Sequence, residues 1–196
     1  MNTLRNLVII SFLFLACEAN AGLSIEAQRV QTAYTKLLAA SSNPSTQLSY
    51  LDAFPGTFTE FMSVFMPPDF KQLYDGHEYI FALNDIGKAL PEQTLNKLLP
   101  LETAAHWNAD AVNYLQEVTI NLAMANPKLF IRTLSRLRKK DQDGVVKFLA
   151  DGIEGPHPSF LELAKKIESI GQTLLAKQMR KEANISKKRA DHEHGR

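Results

Sequence analysis

The stretch LETAAHWNADAVNYLQEVTINLAMANP, residues 101–127, decides how the chain is read. Trp107, Ala111, Tyr114, Leu115, Val118 and Leu122 recur at three- and four-residue spacing, which predicts one long amphipathic helix over residues 101–125. Asn126 and Pro127 then supply a cap and a first-turn proline for the next helix, residues 127–140. Val112 and Ile120 fall outside the apolar stripe, so the long helix is expected to be covered on more than one side.

On such a helix Glu102, His106, Asp110, Asn113 and Glu117 share one side, a quarter-turn or so from the apolar face. The plainer reading is a solvated polar side, with His106–Asp110 as a surface pair of about 0.3–0.5 kcal/mol. The sharper one is a small acid–base or metal site, a hydrolase built on Glu102, His106 and Asp110. Catalytic zinc usually takes three protein ligands, and the H-E-x-x-H pattern is missing; His77–Glu78 lacks its second histidine. No catalytic residue, metal or cofactor is therefore assigned, and the stripe is kept as a candidate binding surface.

Working outward, the periodicity stays helical. Residues 25–41 read as a first helix on Val30, Ala33, Leu37 and Leu38, and Tyr50 to Phe54 as a short turn. Thr57 and Glu60 have capping-box spacing ahead of Phe58, Phe61 and Phe65, and Pro67–Pro68 closes that segment. A helix from His77 to Leu90, a short segment from Pro91 to Leu99 and a short helix over 145–151 follow. Ser159 and Glu162 open a last helix running to about Met179. No alternating strand pattern appears. The expectation is an all-α domain, 22–179, of seven to nine short helices in an irregular antiparallel bundle or short superhelix. KEANISKKRADHEHGR has almost no apolar content, so 180–196 is expected to be a flexible basic tail.

The first 21 residues have a cationic start at Arg5, an apolar run from Leu7 to Ala16 and an Ala19-x-Ala21 exit, the parts of a secretory signal peptide. The expected product is periplasmic or secreted, beginning at Gly22. The alternative processing makes LFLAC, 13–17, a lipobox, with Cys17 lipidated and the protein membrane-anchored. In neither case does the body hold a cysteine pair, so packing alone must stabilise it. A 45 % hydrophobic, 22 % charged chain with net charge +1 is globular in composition and has no overall pull toward nucleic acid.

Lys128, Arg132, Arg136 and Lys139 lie on one side of helix 127–140, opposite Phe130, Ile131, Leu134 and Leu137. They form a candidate face for an anionic partner, or answer the helix dipole and the nearby Asp141 and Asp143. The aromatic set Tyr50, Phe54, Phe58, Phe61, Phe65, Phe70, Tyr74, Tyr79 and Phe81 reads as core, with a groove for a lipid or peptide as the alternative.

FPGTFTEF (54–61), YDGHEYIFAL (74–83) and HWNADAVNYLQ (106–116) resemble segments of a helical family of secreted bacterial proteins. The resemblance implies export and helicity and carries no catalytic assignment. The functional expectation is an exported helical binding protein, such as an immunity or accessory protein, whose partner is another protein.

Overall fold

The computed structural model describes residues 22–66, 72–74, 76–107, 110–152 and 154–194. The expected leader, with Cys17, lies outside these residues, as does Phe70. The described residues are all-helical, in ten helices. They are α1 (Ile25–Ala39), α2 (Pro44–Ala53), α3 (Phe58–Phe65), α4 (His77–Ala89) and α5 (Pro91–Glu102), then α6 (Asp110–Ala125), α7 (Pro127–Ser135), α8 (Lys139–Ala150), α9 (Pro158–Ser169) and α10 (Thr173–His194).

The count exceeds the expected seven to nine because long readings break where tertiary contacts outbid local periodicity. Helix 101–125 is two pieces: α5 ends at Glu102, residues 103–107 form turn and coil, and α6 starts at Asp110. At this break the Thr103 carbonyl sits so close to α8 that a Cβ on Gly144 would lie 2.0 Å from its oxygen. Gly144, inside α8, permits this because only a missing side chain lets the two backbones meet. Helix 127–140 likewise divides, with Arg138 extended (ψ 151°) as the N-cap of α8.

The last helix also splits. Gly171 has φ +88°, its N–H donates to the Glu168 carbonyl, and Gln172 N–H donates to the Ile167 carbonyl, the paired bonds of a Schellman motif. After that turn α10 runs to His194. Residues 180–194 of the expected flexible tail are part of this helix. Ala176, Met179, Ala183, Ser186 and Ala190 are buried at three- and four-residue spacing, a seam of small side chains that a search for large apolar residues overlooks.

At the other end Asn43 caps α2 by accepting from Ser45 N–H, with Pro44 at the first helical position, so the Tyr50–Phe54 turn belongs to a ten-residue helix. Thr57 accepts from Glu60 N–H as expected, while the Glu60 carboxylate reaches back to Gly56 N–H.

Helices α5 and α6 are the hub. The first packs on α2, α4, α6, α7 and α8; the second on α4, α5, α7, α8 and α9. Accordingly α6 buries Val112 and Ile120 as well as Ala111, Leu115, Val118 and Leu122. Gly87 of α4 lets that contact close, since a Cβ there would meet Leu122 at 2.1 Å. Tyr50, Phe54, Phe61 and Phe65 are wholly buried, so these members of the aromatic set are core. Tyr50 satisfies its hydroxyl by donating to the Tyr79 carbonyl at 2.6 Å.

Candidate functional site

The break after Glu102 disperses the polar stripe. Glu102, on the last turn of α5, is fully buried; its Oε1 accepts from Thr119 Oγ1 at 2.5 Å and its Oε2 has no partner among the described residues. Burial outweighs the Thr119 hydrogen bond and raises its pKa to about 8, so the side chain is a neutral acid at pH 7. His106, in the turn, is exposed and stands edge-on to Phe58, ring centroids 5.2 Å apart. Asp110 is exposed at the start of α6. Glu102, His106 and Asp110 of the expected one-sided set of five thus stand in three separate environments.

Asn113 and Glu117 stay together, one turn apart on α6. They line an open cleft of about 390 Å³ whose far wall is the loop from α8 to α9, with Asp151, Glu154 and His157. The cleft has a built frame. Gln116 donates to the carbonyls of Phe148 (2.6 Å) and Asp151 (2.7 Å), tying α6 to the end of α8. The Asp151 carboxylate accepts from Trp107 N–H at 3.3 Å and from Arg189 of α10 at 2.9 Å. Trp107 in turn donates its indole N–H to Asn113 Oδ1 at 2.6 Å. Four parts of the chain therefore meet at Asp151.

The loop itself depends on glycine. Gly155 has φ +96°, and a Cβ on Gly152 would lie 2.3 Å from the Gly155 carbonyl oxygen. His157 caps α9, its Nδ1 accepting from Ser159 N–H at 3.3 Å, which leaves Nε2 to carry the ring proton. Ser159, read as the capping residue, is instead within the first turn. Sequence reasoning missed Asp151, Glu154 and His157; the glycines and prolines of GPHP, 155–158, signal a loop but not what it faces.

Three of the four cations of the basic face are ion-paired. Arg132 and Arg136 both pair with Glu92 of α5, at 3.2 and 3.0 Å, and Lys139 pairs with Asp143 at 2.5 Å and bonds Gln178. Lys128 has no ion pair among the described residues; it lines a shallow hollow with Leu129, Arg132 and Ile170.

Chemically, the cleft offers carboxylates at Glu117 and Glu154 and an imidazole at His157. That set suits hydrogen bonds and ion pairs to a polar or cationic guest. Among the described residues no three His, Cys, Asp or Glu side chains stand so as to hold a metal ion, and no helix is long and apolar enough to cross a membrane. No family model, curated protein or solved structure matches this chain.

Proposed function

We propose that the protein acts by binding another polypeptide, and that the Asn113–Glu117 cleft is where a basic segment of that partner seats. The observation that carries this is the cleft's construction: carboxylates at the rim of a frame fixed from α6, α8, α10 and the Trp107 turn. A frame built before the partner arrives spares ordering entropy on binding. The apolar segment Leu7–Ala16 and the Ala-x-Ala exit support a periplasmic or secreted location, with lipidation at Cys17 as the second form of processing. An immunity or accessory protein for an exported partner fits this reading.

The hydrolase alternative asks Glu102, His106 and Asp110 to work together. With Glu102 sealed beside Thr119 and His106 against Phe58, nothing in the arrangement favours it.

The test is capture from the envelope with tagged protein, beside a Glu117→Arg/Glu154→Arg variant. Neither side chain makes a hydrogen bond or ion pair among the described residues, so folding should be unchanged by circular dichroism. A stoichiometric partner held by the parent and lost by the variant supports the reading. Equal capture by both, or no stoichiometric partner, counts against it.

A further inference from the structure

The outer side of α10 is a feature that the cleft does not use. Buried Ala176, Met179, Ala183, Ser186 and Ala190 fix one side of this helix inward. Diametrically opposite lie Leu174, Lys177, Lys181, Ile185 and Lys188, all exposed, with Leu174 at 84 % and Ile185 at 43 %. At the rise of an α-helix this stripe is about 21 Å long. The helix's other cations are engaged or turned aside: Arg180 pairs with Glu168, Arg189 with Asp151, and Lys187 sits nearer the buried side. Its acids Glu182 and Asp191 are set off the stripe by roughly a quarter-turn. Lys177, Lys181 and Lys188 have no ion pair among the described residues.

We infer that this stripe docks the protein on an anionic lipid bilayer, with α10 lying along the surface. Two observations choose a bilayer over an acidic protein. The shallow hollow along the stripe is lined by α10 residues alone, Lys177, Arg180, Lys181, Asn184, Ile185 and Lys188, so no neighbouring element rises beside it to shape a groove. A straight, unflanked row of lysines meets a plane of headgroups as readily as any surface. Second, two exposed aliphatic side chains are interleaved with the lysines, the combination that lets apolar tips enter the headgroup boundary while ammonium groups stay with phosphate. The net charge of the whole chain, +1, supplies no such attraction; it is concentrated in α10, which holds six Lys/Arg against three Asp/Glu.

The experiment is co-sedimentation of the full chain with vesicles of phosphatidylcholine alone and of phosphatidylcholine mixed with phosphatidylglycerol, at low and high salt. Association through the leader, which carries Arg5 beside the apolar Leu7–Ala16 segment, is common to the parent and every variant, so the differences between variants report on α10. The expected result is stronger partitioning onto the phosphatidylglycerol vesicles, weakened by salt. Lys177→Gln/Lys181→Gln/Lys188→Gln should reduce it on the order of 100-fold, while the matching Lys→Arg triple retains it. Leu174→Ser should weaken it without changing its salt dependence. The substituted side chains are exposed, and unchanged melting of each variant confirms the fold. Equal partitioning onto both vesicle types, a triple Gln variant that binds like the parent, or capture of soluble polyglutamate in place of vesicles overturns the proposal.

Discussion

Burial makes Glu102 a pH-sensitive residue of the core. Its carboxyl, buried beside Thr119, has a pKa of about 8 against 4.5 in an exposed chain. The unfolded chain therefore releases this proton from about pH 4.5 upward, while the folded protein holds it until about pH 8. Stability from this group is greatest below pH 4.5 and falls across that window by an amount on the order of a few kcal/mol. Glu102→Gln keeps an acceptor for the Thr119 hydroxyl and cannot ionise. The variant should melt higher than the parent at pH 7 to 8 and show a flatter decline with pH; a lower melting temperature at pH 8 would refute the buried-acid account. Sequence spacing placed Glu102 on a solvated stripe because the period of a helix says nothing about where that helix stops. The turn that redirects it rests on Gly144, 42 positions from Glu102 along the chain.

At the scale of elements, close approach and small residues set the architecture. Gly144→Ala gains helix propensity but drives a Cβ into the Thr103 carbonyl, a backbone atom that cannot swing aside. We expect a net loss of about 1–3 kcal/mol, read as a lower denaturant midpoint. Helix α10 gives a second test. If residues 180–196 were a flexible tail, Ala183→Asp would be silent. Docked as observed, Ala183 is 2 % exposed, and a carboxylate there has no described partner. The substitution should reduce helical ellipticity and the melting temperature together. Most of the element set was legible: the capped start at Thr57, the entry at Pro127 and the two-sided burial of α6 all follow from local pattern. The break after Glu102 was not, since it is fixed by a neighbour distant in sequence, and no proline or glycine marks the one after Arg136. Gly171 was readable as a helix stop, but apolar residues at helical spacing on both sides of it, Ile167, Ile170 and Leu174, carry the reading on to about Met179. The cleft was half legible: Asn113 and Glu117 stood out on α6, while Asp151, Glu154 and His157 joined them only through folding.

Over the whole molecule, one continuous apolar cluster takes in buried residues from all ten helices. Such a core should unfold as a unit, with helix loss and tertiary loss coinciding. Trp107, the sole tryptophan, makes this measurable, because its backbone and indole N–H groups are both held within the cleft's frame. Asp151 is the joint: it binds the Trp107 turn on one oxygen and Arg189 of α10 on the other, and its side chain is 11 % exposed. Asp151→Ala removes both bonds while leaving the core and the Gln116 contact to the residue-151 carbonyl in place. We expect a stability loss of about 1–2 kcal/mol, since Arg189 is half-exposed and can be solvated when abandoned. Fluorescence from Trp107 should then change at lower temperature than far-ultraviolet dichroism, whereas the two curves superimpose in the parent. Superimposed curves in the variant would mean that Asp151 does not tie the cleft to the remainder of the fold. The same variant should weaken partner capture, because the acidic rim keeps its charges at Glu117 and Glu154 but loses the frame that spaces them.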